Sequence, residues 1–282
     1  MKTRSLKTRR AGDLAVKALA AGSALLALAA LGWILYEVIS RGVGALDFSF
    51  FTRLPTPPGI AGGGLANAMV GTILITLLAT LIGVPVGMLA GVYLGEFGLD
   101  SRRAALIRSA SNLLMGTPSI IIGVFVYALL VVPAGHFSGY SGAAALAIIM
   151  LPVVARTTED MLRLVPNTLR ESALALGAPR WKVTLGVVFR AARAGLITGV
   201  LLAVARISGE TAPLLFTALN SPYWTRSLGE PTANLTVTIF NYAMSPYADW
   251  KAKAWGASLL ITAAVLVLAV FSRFIFREKR VQ

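Results

Sequence analysis

Residues 204–216 read Val204-Ala205-Arg206-Ile207-Ser208-Gly209-Glu210-Thr211-Ala212-Pro213-Leu214-Leu215-Phe216, and the two charges inside this stretch govern how the chain is read. No charged residue lies between Ala194 and Ala205, and none follows Glu210 until Arg226. Arg206 and Glu210 therefore sit within an apolar segment long enough to cross a bilayer. Each charge at such a depth costs about 2.5–3.5 kcal/mol on insertion scales. Their four-residue spacing puts both on one face of a helix. Gly209 between them and Pro213 beyond predict that this helix is weakened or bent there. Two readings are open. In one, the pair is an internal ion pair that holds neighbouring helices in register. In the other, Arg206 is a fixed cation on the path of an anion, since a guanidinium is always charged and meets oxyanions as a fork. Ionisable residues inside a membrane favour function by default.

Of the 282 residues, 56% are hydrophobic and 13% charged, a balance that belongs to integral membrane proteins. No linker or low-complexity tract divides the chain, so no separate soluble domain is expected. There is no cysteine, which excludes disulfides and thiol chemistry. The one histidine, His136, follows Pro133 in a short turn and is expected to be exposed. No metal-ligand spacing occurs, and no metal or cofactor is expected on this chain.

Working outward, the chain divides into six apolar spans. Residues 1–17 are a basic N-terminal segment. An apolar run from Ala18 to Tyr36 follows, taken as a first membrane helix over 18–40. Ala27-Leu28-Ala29 resembles a signal-peptide cleavage site, but the run continues past it to spanning length, which favours an uncleaved helix. The next spans are expected at about Leu65–Gly95, Ser109–Val132, Ser141–Ala155, Ala194–Leu219 and Ala254–Ser272, within a membrane domain of residues 65–276, with 277–282 a tail. Six spans put both termini on one side. That side then carries 20 of the 26 Lys and Arg residues and the other side five, with Arg206 in between. The positive-inside rule makes it the cytoplasm. The net charge of +14 is thus a topological signal that needs no nucleic acid. Asn234-Leu235-Thr236 matches a glycosylation sequon and is read as a chance match.

Residues 156–193 are basic and amphipathic. Within them, about 166–177 reads as a short surface helix: Pro166 suits its first turn, Gly177 a left-handed stop, and Pro179 lies just beyond. Leu169, Ala173 and Leu176 fall near one face, with Arg170 and Glu171 elsewhere.

Here a family resemblance enters. Glu171-Ser172-Ala173, with Gly177 after three more residues, resembles the EAA motif of bacterial ABC-transporter permease subunits. Where the family pattern continues with Ile and then Leu-Pro, this chain has Val187, Phe189 and Arg190. Arg170-Glu171-Ser172-Ala173-Leu174-Ala175-Leu176-Gly177-Ala178, Gly116-Thr117-Pro118-Ser119, Ala205–Phe216 and Phe240-Asn241-Tyr242-Ala243 together look like phosphate-transport permeases of the PstA type. The resemblance implies an all-α membrane protein of about six transmembrane helices with a cytoplasmic coupling helix, the type I ABC importer permease fold. It implies a multi-pass protein of the bacterial inner membrane with both termini cytoplasmic. Its expected partners are ATP-binding subunits, a second related permease, an extracytoplasmic phosphate-binding protein and inorganic phosphate. Arg170, Glu171, Ser172, Ala173 and Gly177 would couple to the ATPase. Arg206 would stand on the phosphate path with Glu210, and Ser208, Thr211 and Thr117 could add hydroxyl donors there.

No Gly-x-x-x-x-Gly-Lys-Ser/Thr stretch occurs, so ATP would be hydrolysed by a separate subunit and this chain would be a transport component rather than an enzyme. The alternatives are a permease for another oxyanion, a passive anion channel or a membrane scaffold without ATPase. An intramembrane enzyme lacks a supporting His/Asp/Glu/Ser constellation.

Overall fold

The computed structural model describes residues 6–98 and 101–275, and every regular element among them is helical. Helix α1 spans Leu6–Gly42 and α2 spans Phe48–Thr52. Helix α3 spans Ala66–Phe97, α4 Arg102–Gly116, α5 Ser119–Ala134 and α6 Gly139–Arg163. Helix α7 spans Asn167–Ala175, α8 Arg180–Ser208, α9 Ala212–Leu215, α10 Leu235–Ala243 and α11 Ala248–Ile275. Five of these helices are long and apolar enough to cross a bilayer, and a sixth crossing results if α4 and α5 form one broken span. This agrees with the six spans expected.

The boundaries differ from the sequence reading in instructive ways. The described part of the basic N-terminus, from Leu6, is already the start of α1. Lys and Arg favour helix, and Asp13 pairs with Lys17 one turn on at 2.8 Å. Residues 1–5 and the tail at 277–282 lie outside the described residues. Much of the region read as a basic loop is also helix. α6 runs on to Arg163 and α8 begins at Arg180, so only the segment around α7 lies between spans. Charge ends an apolar run but does not end a helix. Arg156 pairs with Asp160 at 3.2 Å and Arg163 with Glu159 at 2.8 Å, both at the four-residue spacing that supports one.

The expected span Ser109–Val132 is instead two helices meeting at 103°. Pro118 forces Thr117 into extended backbone (φ −77°, ψ 129°) and the helix stops at Gly116. The expected span Ala194–Leu219 likewise ends as a helix at Ser208. Pro85, by contrast, is carried inside α3 without a break.

Helix α6 is the hub: 67% of its apolar window is buried within the chain, against 0% for α1. Between hydrocarbon-facing helices the gain comes from close packing rather than from removing water. The approach of α3 to α6 depends on glycine. A Cβ added at Gly87 would lie 2.8 Å from Val154 Cβ, and one at Gly91 2.5 Å from Thr158 Cβ. Ile75 and Ala79 of α3, Leu146 and Met150 of α6, and Ala203 and Ile207 of α8 form the buried centre. Helix α1 joins the bundle through its last turns, where Arg41 lies 5.2 Å over the Trp255 ring of α11.

Candidate functional site

The break after α8 shapes the first candidate site. Gly209 closes the helix, with its N–H donating to Arg206 O at 3.3 Å, and Glu210 N–H donates to Ile207 O at 3.2 Å. Pro213 then seats α9 against Gly123 of α5, where an added Cβ would meet Pro213 Cα at 2.6 Å. The Thr236 hydroxyl of α10 donates to Glu210 O at 2.9 Å and satisfies backbone that the break has released. Arg206 is thus the last charge of a helix, while Glu210 stands on the loop beyond it.

Both face one cavity of about 220 Å3. Its opposite wall is the α4–α5 break, with Thr117, Pro118 and Ser119, and its floor is Ile149 and Val153 of α6. Ile149 and Val153 fall near the middle of the 25-residue α6, so the two charges stand near mid-span. Helix α5 begins at this cavity with Ser119, and a helix start carries partial positive charge from its unsatisfied N–H groups. Arg206 is exposed to the open side of the chain and Glu210 is half-buried. Among the described residues Arg206 forms no ion pair within 4.0 Å, with Glu210 or any other acid. The helix-registering ion pair is therefore not formed in this conformation. An exposed guanidinium, a helix start and a carboxylate in one small cavity can hold a protonated oxyanion.

The hydroxyls divide. Thr117 lines the cavity but its Oγ1 donates to Leu113 O at 2.8 Å. Ser208 Oγ donates to Val204 O at 2.8 Å, and neither Ser208 nor Thr211 lines the cavity. Backbone competes for such hydroxyls inside helices. A larger cavity of about 700 Å3 lies between α6 and α8 around Met161 and Gly195, but no charged side chain lines it.

The second candidate site is α7. Its end is a Schellman closure: Gly177 N–H donates to Leu174 O at 2.9 Å and Ala178 N–H to Ala173 O at 3.4 Å, with Gly177 at φ +78°. Glu171, Ser172 and Gly177 are exposed, Ala173 is half-buried against α8, and Leu176 is 89% exposed. Arg170 points the other way. It meets Glu96 at the end of α3 at 2.6 Å and donates to Leu162 O at 2.7 Å and Val165 O at 2.5 Å. Its guanidinium ties α7 to α3 and α6, while the outward face is left to Glu171, Ser172 and the leucines.

Asn234 of the apparent sequon is 1% exposed and caps α10, with its Oδ1 accepting from Val237 N–H at 2.9 Å. His136 is exposed, as expected. Among the described residues no cluster of three or more possible metal ligands occurs.

The family model described as "Binding-protein-dependent transport system inner membrane component" matches residues 83–278. A Haemophilus influenzae protein named "Phosphate transport system permease protein PstA" is 48% identical over 258 residues, covering 92% of this chain and 91% of its own. A Yersinia pestis protein of the same name is 46% identical over 248 residues, covering 88% and 84%. Among solved structures, a chain of the bacterial alginate ABC transporter, crystallised with a periplasmic protein bound to alginate pentasaccharide, superposes with a TM-score of 0.63 at 14% identity, covering 96% of this chain and 97% of its own. A chain of the inward-facing MetNI methionine ABC transporter gives 0.58 at 20% identity, covering 76% and 93%. At these identities the structural likeness concerns the fold.

Proposed function

We propose, on the premise that the chain belongs to the family of binding-protein-dependent transport system inner membrane components, that it is a membrane-spanning permease subunit of an ATP-driven importer that passes inorganic phosphate into the cytoplasm. The observation that carries the path is Arg206, without an ion-pair partner among the described residues and near mid-span in a cavity that also holds Glu210 and the start of α5. A permanent cation offsets the dehydration of an entering anion, and a single one holds it weakly enough for release. Glu210 accepts a hydrogen bond from a protonated phosphate oxygen, which sulfate at neutral pH cannot offer. This favours phosphate over sulfate as cargo.

The orientation follows from charge. The end of the bundle with α7, Arg156, Arg163 and Arg180 is the basic one and faces the cytoplasm, with both chain termini on that side. An ATP-binding subunit docks there on the exposed face of α7, around Glu171, Ser172 and Leu176. A second, related permease completes the passage on the open side of Arg206, and an extracytoplasmic phosphate-binding protein delivers cargo at the opposite end. ATP acts through that subunit, whose nucleotide-bound form contacts α7 differently in the inward- and outward-open states. The test is phosphate uptake by vesicles containing the assembled complex with Arg206→Ala at normal abundance. Loss of uptake with ATP hydrolysis retained supports the path, and unchanged uptake rejects it.

A further inference from the structure

Glu159 is the only acid among the fully buried described residues, at 1% exposure, and the phosphate path does not use it. Its Oε1 accepts from Arg108 Nε of α4 at 2.8 Å and forms an ion pair with Arg163 Nη2, also at 2.8 Å. Its Oε2 has no hydrogen-bond donor among the described residues; Arg156 stands 4.0 Å from it and is engaged with Asp160 at 3.2 Å. Arg108 also donates through Nη2 to Leu94 O of α3 at 3.1 Å. One guanidinium thus fastens α4 to both α3 and α6.

The placement of α4 gives this joint its consequence. Helix α4 meets α5 only through the bend at Thr117 and Pro118, so α5 does not dictate where α4 lies. Seven residues beyond Arg108, a rise of about 10 Å, α4 reaches Met115, which lines the Arg206 cavity with Thr117 and Ser119. At the other end, Arg170 of α7 grips the carbonyls of Leu162 and Val165, three and six residues beyond Glu159 and at or just past the end of α6. Polar contacts at the end of α6 therefore hold both α7 and α4, and α4 itself runs on to the cavity wall.

We propose that Arg108 and Glu159 form a positioning joint that sets the Thr117–Ser119 wall against Arg206 and carries the displacement of α7 to it. The proposal rests on the reading of that cavity as the phosphate passage. A buried carboxylate deprived of its partner is strongly unfavourable, so the two move as one body while the cavity around Arg206 changes shape. Because coupling through packed contacts can be spread over many residues, the joint is tested by its effect on geometry and not by transport alone.

The chain has no cysteine, so Met115→Cys with Val153→Cys creates a unique thiol pair across the cavity, from α4 to α6. Cross-linking with a short bifunctional thiol reagent is measured in vesicles holding the assembled complex, alongside phosphate uptake by the same complexes without the pair. Glu159→Gln is expected to lower the cross-linked fraction and to reduce maximal uptake about ten-fold, with the KM for phosphate-loaded binding protein little changed. Glu159→Asp should restore most of both. Arg108→Gln combined with Glu159→Gln should lose no more than the worse single variant, as expected for two residues acting through one contact. An unchanged cross-linked fraction in Glu159→Gln overturns the joint, whatever happens to uptake. If that variant does not assemble, Arg108→Lys, which keeps the charge but not the reach to both Leu94 O and Glu159, is read in the same way. The cross-link involves no phosphate. A loosened cavity in Glu159→Gln together with normal uptake by Arg206→Ala would leave the joint standing and reject the passage.

Discussion

Arg170 of α7 clasps Glu96 at the end of α3 through three contacts: Nη2 to Oε1 at 2.6 Å, and Nε to both carboxylate oxygens at 3.2 Å. Helix α7 is therefore attached to the bundle by a largely enclosed ion pair. Arg170→Ala leaves Glu96 nearly buried without its partner and should destabilise this end by about 3–5 kcal/mol. Arg170→Lys keeps the charge but not the fork to Leu162 O and Val165 O, and should cost less. Thermal unfolding in detergent, followed with co-purification of the ATP-binding subunit, checks both.

Gly177 closes α7 at φ +78° with open space around it. Gly177→Ala meets no steric obstacle, but its backbone position is unfavourable for a side chain by about 1–2 kcal/mol. The Schellman closure should loosen and affinity for the ATP-binding subunit should fall about ten-fold, read by titrating that subunit onto the membrane complex.

At the cavity, Arg206→Lys should keep a cation but lose the two-pronged grip, lowering phosphate uptake about ten-fold. Arg206→Ala should abolish uptake while ATP hydrolysis persists. Radiolabelled phosphate uptake at matched protein abundance decides it.

Glu210→Gln replaces a charged, acceptor-only carboxylate with a neutral amide that can also donate, so on the proposed path a fully ionised oxyanion would no longer be disfavoured. Sulfate should then compete about ten-fold better against phosphate than it does with Glu210 present. Uptake measured with increasing sulfate reports the change directly.

Gly87 separates packing from helix propensity. In a freely exposed helix, Gly→Ala gains up to about 1 kcal/mol, and Gly32 of α1, with nothing near it, should behave that way. At Gly87 the new Cβ would meet Val154 Cβ at 2.8 Å and Leu151 O at 2.9 Å, and the change should cost about 1–3 kcal/mol. Thermal melts of the two variants should move in opposite directions.

Hydropathy and helix punctuation carried much of the fold into view. Six crossings, the interruption near Gly209 and Pro213, and a short helix ending at Gly177 are all written in local residue order. Helix lengths were not, because hydropathy stops at Arg156 and resumes at Ala194 while hydrogen bonding continues through both. The proline at 118 was visible but was read as part of a continuous span, although the restriction it places on Thr117 predicts the bend. Gly83, Gly87 and Gly91, four residues apart, also carried a legible sign of close helix approach that the span-by-span reading did not use. At the cavity, Arg206 and Glu210 stood out because charge inside an apolar run is rare. Thr117, Pro118 and Ser119 lie some 90 residues away, and no local pattern joins them to Arg206. Separations of 74 and 51 residues likewise hide Glu96 from Arg170 and Arg108 from Glu159, since a carboxylate in sequence does not name its guanidinium.

The end of α8 at Ser208 leaves the cation on a helix and the acid on a connector between α8 and α9 whose backbone is held by α10. The gap between the two charges is then not a constant of helical geometry. On the proposed path, a shift of α9 or α10 alone would change the spacing of cation and acid, and with it the grip on an anion.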